Sequence, residues 1–261
     1  MSSESSGVKG KRCLLLTNYF YPETFRGNDV AFEMVKRGYE VTVITCIPNY
    51  PQGRFYDGYG MWRRRREVVN GVNVIRVPVI PRGNGRAIRM VLNYVSSLFF
   101  TFIYTLSIVL RKKFDFIFVQ ELSPAFIGIP AVLAKKIQHI PIYFWLLDVW
   151  PESLAAGGIT NKYIIGIVDK IMRRIYRNCH KIFIAAPGVR SLLQQRGVRN
   201  DCIEDLPNWG EDALQGDEVS EDQLPPLPDG FRIMFAGNLG EAQNLENAVS
   251  YTHLTLPTIR L

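Results

Sequence analysis

Residues 12–46 read RCLLLTNYFYPETFRGNDVAFEMVKRGYEVTVITC, and the hydrophobic period changes twice along them. Arg12 to Thr17 is an apolar run closed by the turn-like Asn18 to Pro22, and Val41 to Cys46 is a second run rich in β-branched residues. Both have the near-continuous apolar character of strands covered on two faces in a parallel sheet. Between them Val30, Met34 and Val35 recur at helical spacing over Asp29 to Arg37, and Gly38 stands where a helix C-cap glycine belongs. The stretch reads as one βαβ unit.

The alternation continues outward. Strands are expected at Asn73 to Ile80, Phe114 to Val119, Pro141 to Leu147, Lys181 to Ala185 and Cys202 to Leu206. Helices are expected at Arg89 to Leu110, Pro124 to Gln138, Ile159 to Asn178 and Gly188 to Gln195. Such a pattern implies an α/β fold with an open, parallel, doubly wound sheet, its ligand site at the carboxyl ends of the strands. Residues 1–11 form a Ser- and Gly-rich lead-in without the apolar run of a secretory signal. Residues 12–210 then make one Rossmann-like domain, and 211–230, acidic and carrying Pro225, Pro226 and Pro228, an interdomain linker. At 231–248 the strand Arg232 to Ala236 and the turn Gly237-Asn238-Leu239-Gly240 open a second α/β domain.

With 47% hydrophobic and 21% charged residues, the 261-residue chain can bury a large core. Residues 1–200 carry 29 Lys and Arg against 12 Asp and Glu, whereas 201–248 carry Arg232 against 12 acidic residues. The first part therefore suits an anionic partner: a phosphate-bearing ligand, a nucleic acid or an anionic membrane. Cys13, Cys46, Cys179 and Cys202 are scattered, without a CxxC pair or a histidine at ligand spacing. Neither a zinc site nor a disulfide framework is indicated, the compartment is expected to be reducing, and no metal is expected.

A dinucleotide-dependent oxidoreductase needs a tight Gly-rich turn after the first strand. Here Tyr19, Phe20 and Tyr21 occupy that turn and block the approach of a pyrophosphate to backbone. More informative is Tyr143-Phe144-Trp145-Leu146-Leu147-Asp148-Val149-Trp150-Pro151-Glu152-Ser153, where a strand runs into two carboxylates flanked by tryptophans. Aromatic walls beside carboxylates suit a sugar, whose apolar face stacks on rings while its hydroxyls bond to carboxylate oxygens. The other open reading has Trp145 and Trp150 in the core and Glu152 in the first turn of a helix, offsetting its dipole. Glu121, at the end of another strand, is a candidate for the same crevice or a surface residue before a helix. Pro187-Gly188 opens a helix either as a phosphate cradle or as a plain turn.

Six segments in order resemble family 4 of the retaining GT-B glycosyltransferases, in the subgroup of bacterial capsule and O-antigen assembly. They are Thr17 to Glu23 (TNYFYPE), Lys36 to Val43 (KRGYEVTV), Pro48-Asn49-Tyr50-Pro51 with Gly53, Asp148 to Ser153 (DVWPES), Pro207-Asn208-Trp209, and Gly237 to Gln243 (GNLGEAQ). The resemblance implies two Rossmann-like domains across a cleft, the first holding the acceptor and the second most of a nucleotide-sugar donor. By the same implication Asp148 and Glu152 line the acceptor side near the reacting sugar, and Trp150, Asn49 and Tyr50 meet the acceptor; Glu121 is a third candidate catalytic carboxylate on its position alone. Gly237, Asn238 and Gly240 would hold the donor pyrophosphate through backbone N–H groups without a metal, and Gly27 would face it from an N-terminal loop. Two departures stand out. Gln120-Glu121 occupies a place where many relatives have a histidine, and the pair of donor-gripping glutamates of the second domain is absent, so this chain is expected to be inactive alone. Residues 249–261 read as a non-native tail.

Val91 to Leu110 is a 20-residue run without charge, about 30 Å long as a helix and long enough to span a bilayer. It stands where a crossover helix belongs, and Asn93, Ser97, Thr101 and Thr105 form a polar stripe along it. The crossover reading is favoured, with one side on the sheet and an exposed apolar side. Around it, residues 54–113 hold 12 basic residues, including Arg63, Arg64, Arg65, Arg66, Arg111, Lys112 and Lys113, against Asp57 and Glu67. An anionic membrane face suits them, whereas no nucleic-acid-binding module is recognisable. The expectation is a transferase moving a sugar from a nucleotide sugar to a polyprenyl-diphosphate-linked acceptor, peripheral on the cytoplasmic face of the inner membrane. The alternative is a non-catalytic acceptor- and membrane-binding module.

Overall fold

The computed structural model describes residues 9–84, 86–156, 158–210 and 230–231. The expectations for the linker, for the second domain with Gly237, Asn238 and Gly240, and for the tail lie outside the described residues. Within the lead-in, Gly10 donates to the Gly38 carbonyl (2.9 Å) and the Lys11 carbonyl accepts from Glu40 (2.9 Å), so order begins before residue 12.

Among the described residues the strands form one eight-stranded sheet, ordered β3-β4-β2-β1-β5-β6-β7-β8. The strands are β1 (Arg12–Leu16), β2 (Glu40–Cys46), β3 (Arg66–Val69), β4 (Val72–Val77), β5 (Phe116–Glu121), β6 (Ile142–Leu146), β7 (Lys181–Ile184) and β8 (Ile203–Asp205). The helices are α1 (Arg26–Lys36), α2 (Ala87–Val109), α3 (Gly128–Gln138), α4 (Glu152–Ala156), α5 (Lys162–Tyr176) and α6 (Val189–Gln195). All pairings are parallel except β3 with β4. The sheet is doubly wound because its strands are apolar on both faces. Leu14, Leu16, Ile44 and Phe144 pack with α2, α3, α5 and α6 on one side, and Cys13, Leu15, Val41 and Val43 pack under α1 on the other. The αβ return after α1 follows the expected signal, Gly38 taking φ 92° and donating to the Val35 carbonyl (2.9 Å).

Three differences from the sequence reading have local causes. The edge strand β3 is absent from that reading, since a strand at a sheet margin needs no apolar run. Its four residues, REVV, are exposed and half-buried in alternation. The helix expected over Ile159 to Asn178 is α5, which starts at Lys162 because Asn161 caps it, accepting from the backbone N–H groups of Tyr163 and Ile164, and the short α4 before it was not expected. Finally, β5 runs on through Gln120 and Glu121, which are fully buried. Polar identity suggested a loop there, but both side chains find partners inside.

Candidate functional site

Strand order reverses between β1 and β5, and the carboxyl ends of these two strands and of β6 frame a crevice, as the topology requires. Thr17 Oγ1 donates to Gln120 Oε1 (3.0 Å) across the switch point, and Asn18 Nδ2 donates to the Pro124 carbonyl (3.2 Å). Glu121 Oε2 accepts from the backbone N–H of Leu147 (3.2 Å) and of Asp148 (2.9 Å). That pins the loop after β6. Burial drives the Glu121 pKa well above the usual carboxylate range against the backbone hydrogen bonds from Asp148 and Leu147, and the charge of the Asp148 carboxylate adds to the rise.

Asp148 is half-buried at the centre of this loop. Ser153 donates to its Oδ1, Ser123 donates to its Oδ2, and Trp150 Nε1 is 3.3 Å from the same Oδ2. A carboxylate has about four acceptor positions. Three donors therefore orient the group and leave capacity for a ligand hydroxyl.

A wall of aromatic side chains is joined to this loop through Tyr94 and Trp150. Tyr19, Phe25 and Tyr50 form one cluster, with Tyr19 stacked on Phe25 at 4.8 Å. The Arg82 guanidinium lies over the rings of Tyr19, Tyr50 and Tyr94 at 5.3–5.6 Å and donates to the Tyr19 hydroxyl. Arg82 Nε is buried without a hydrogen-bond partner among the described residues. Tyr94 meets Trp150 edge-on at 6.4 Å, so the arginine box and the Asp148 loop are continuous. Beneath the wall, Glu23 Oε1 accepts from the backbone N–H of Asn49 (3.0 Å) and Tyr50 (2.8 Å). Burial raises its pKa to about 7 against those hydrogen bonds.

The candidate residues separate accordingly. Asp148 is half-buried on the loop after β6 and Tyr50 half-buried in the aromatic cluster, but Glu121 is fully buried under the loop, which corrects the expectation that it reaches the crevice. Glu152 begins α4 and turns to Arg196, 2.5 Å away, whose Nε also pairs with Asp169 at 2.8 Å. The helix-turn reading of Glu152 is the one observed. Trp145 and Trp150 do not flank the carboxylate as open walls. Trp145 is buried in the α1-side core, stacked on Trp209 at 5.6 Å, while Trp150 is buried in the core on the opposite face. Asn49 is also buried, its Nδ2 donating to the Ile47 carbonyl (2.9 Å). Gly27 lies in the first turn of α1 and not on a loop. A Cβ there would come within 1.9 Å of Gln120 Oε1, so packing alone requires the glycine.

Among the basic candidates Arg63, Arg64, Arg66, Arg111 and Lys113 are exposed. Arg65 is instead a tether, donating to the Tyr104 hydroxyl and to the Arg76 carbonyl (2.9 Å). Lys112 reaches Glu40 (4.0 Å) and Thr42 Oγ1 (3.4 Å) at the amino-terminal edge of the sheet. Sequence reasoning missed Arg82, Glu23, Tyr94, Ser123 and Ser153. Arg82 was legible only as one of many basic residues, because its partner Tyr19 lies 63 positions away. Among the described residues no group of three or more His, Cys, Asp and Glu side chains forms a metal-ligating cluster.

The glycosyl transferase 4-like domain family matches the chain over residues 28–209. A protein of Escherichia coli (strain K12) named as a colanic acid biosynthesis glycosyl transferase, WcaI, is 27% identical over 229 residues, covering 83% of this chain and 55% of its own length. The chain thus spans about half the length of that curated relative. Sucrose-phosphate synthase of Thermosynechococcus elongatus superposes with a TM-score of 0.51 at 9% identity, over 76% of this chain and 48% of that one, a likeness of fold alone. The Anabaena protein Alr3699/HepE, solved with UDP and glucose, superposes with a TM-score of 0.47 at 13% identity, over 78% and 46%.

Proposed function

The chain belongs to the glycosyl transferase 4-like domain family, and from that premise we propose that it is the acceptor-side half of a retaining transferase in bacterial surface-polysaccharide synthesis. The donor is a nucleotide sugar and the acceptor a polyprenyl-diphosphate-linked sugar, met at the cytoplasmic face of the inner membrane. The likeness to a relative named for colanic acid biosynthesis supports the polysaccharide assignment. Gly237, Asn238 and Gly240 are proposed for the donor pyrophosphate, with no metal.

One observation carries the reading: a carboxylate held by Ser123, Ser153 and Trp150 on the loop after β6, joined through Trp150 and Tyr94 to an arginine seated among three tyrosines. Asp148 accepts a hydrogen bond from the acceptor hydroxyl, or offsets positive charge developing at the anomeric carbon. Arg82 meets the acceptor's diphosphate, its unpartnered Nε supplying a donor. Glu121 is a positioning residue, and Glu152 steadies α4 against Arg196.

The test is to express the full-length gene and screen nucleotide sugars for transfer to a polyprenyl-diphosphate-linked sugar. Asp148→Ala is expected to lower kcat at least about a hundredfold, and Arg82→Gln to raise the acceptor KM with a smaller change in kcat. Normal turnover by Asp148→Ala sinks the assignment.

A further inference from the structure

Helix α2 is built inside out. The side turned to the sheet carries Asn93, Ser96, Ser97, Thr101 and Thr105, all buried, whereas the side turned outward carries Ile88, Val91, Val95, Phe99 and Ile103. Those five are 42–76% exposed and follow one another three or four residues apart, so they make a continuous apolar stripe. A crossover helix of a globular domain ordinarily has the opposite arrangement. Val68 of the edge strand is 68% exposed, and Trp62, four residues before β3, is 93% exposed. A 750 Å³ groove between β3 and α2 is lined by Val68, Ile103, Tyr104, Arg66 and Arg111.

The charges around this surface are mainly positive; Glu67, which also lines the groove, is paired with buried Arg76 at 2.6 Å. Arg86 and Arg89 lie at the start of α2, Arg111 just beyond its end, and Arg63, Arg64 and Arg66 along the adjoining edge. No acidic residue occurs between Glu67 and Asp115. Apolar side chains bordered by arginines complement a leaflet of anionic lipid, acyl carbon beneath and phosphate at the rim. A second copy of the chain would bring the same arginines face to face across a twofold axis, and like charges would oppose it.

We propose that the outer face of α2, with β3 and Trp62, is a docking surface that lies in the plane of an anionic bilayer and does not cross it. The helix is long enough to span, but it is fastened to the sheet along its length. Asn93 Nδ2 donates to the Ile80 carbonyl (2.6 Å), Ser96 Oγ accepts from Ile80 N (3.0 Å), and Ser97 Oγ donates to Asn18 Oδ1 (3.2 Å). Farther along, Tyr104 receives Arg65, and the Val109 carbonyl accepts from Gln138 Nε2 (2.6 Å). Spanning would unmake all of these. The first turn of α2 packs near Gly83, beside Arg82, so a docked surface would lie alongside the crevice. This deepens the proposed meeting with a membrane-borne acceptor and rests on it for the source of the lipid. Its test involves no transfer reaction, so the two fail separately.

The 261-residue chain is sedimented with vesicles of phosphatidylglycerol and phosphatidylethanolamine, and with phosphatidylcholine vesicles as control. Binding to the anionic vesicles, weakened by salt, is expected. The paired exposed-site changes Val95→Glu and Phe99→Glu should lower it at least about tenfold with unchanged circular dichroism and Tm. Phe99→Ser alone should lower it less, and it keeps the test readable if the pair does not fold. Combining Arg63→Gln, Arg64→Gln and Arg66→Gln should weaken binding about tenfold or more at low salt and flatten its salt dependence. Four results overturn the proposal: wild-type binding by both apolar-face variants, equal binding to phosphatidylcholine, retention in the membrane through alkaline carbonate, or a lipid-free dimer that the apolar-face variants dissociate.

Discussion

At the carboxyl end of β6 the chain draws carboxylates inward and gives them donors, while on the outer side of α2 it pushes valine, isoleucine and phenylalanine outward and leaves them bare. The buried groups of the first region are costly unless paired, so their partners are intramolecular and their geometry is set before any ligand arrives. The exposed groups of the second region contribute little to folding, so their use must come from what covers them. Between the two lies the inner stripe of α2, where buried hydroxyls are only partly satisfied. Among the described residues Thr101 and Thr105 have no hydrogen-bond partner, whereas Ser96 and Ser97 do.

The sharpest way to break this contrast is to remove a buried anchor. Glu121→Ala strands two backbone N–H groups beneath the Asp148 loop and is expected to cost about 3–4 kcal/mol in urea denaturation. Glu121→Gln keeps an acceptor and should retain most of that stability.

A pH series probes the second anchor. The folded-state pKa of Glu23 is raised to about 7 by burial, so the unfolded chain releases its proton first. Glu23 thus contributes stability that is fully present below the ordinary carboxylate range and is lost as pH rises toward 7. Glu23→Gln does not titrate; its stability relative to wild type should grow by on the order of 3 kcal/mol between pH 4 and pH 8. A constant difference across that range would show that Glu23 ionises freely in the folded chain.

The smallest effect tests the inner stripe. Thr105→Val replaces a fully buried hydroxyl that has no partner and is expected to raise stability by up to about 1 kcal/mol, read from the urea midpoint. A loss of more than about 1 kcal/mol would mean that the hydroxyl is bonded in solution.

Much of the fold was legible because the signals for it are local. The runs at 12–17 and 41–46, the helical spacing at 29–37 and Gly38 are read within a few residues of one another, and the structure has β1, α1, β2 and the glycine cap there. The site was legible in part. The stretch from Tyr143 to Ser153 drew attention to the loop that carries Asp148, but the same stretch offered Glu152, Trp145 and Trp150 on equal terms. Their separation depends on which face of the sheet each side chain enters and on Arg196, 44 positions from Glu152.

Sequence by itself determined the βαβ alternation, the parallel class of the sheet and the edge at which a ligand site forms, since periodicity and turn residues act over one or two turns of chain. Only the tertiary structure decided that Glu121 supports the loop from beneath and that Arg82 joins three tyrosines from distant segments, whereas the exposed apolar side of α2 was already expected and the structure added that the hydroxyl stripe is the side on the sheet. An amphipathic pattern states that a helix has two faces; which one meets the sheet is settled by the groups waiting there. Here these include Asn18, the Ile80 backbone and the Cys46 thiol, which lies 3.1 Å from Ser97 Oγ.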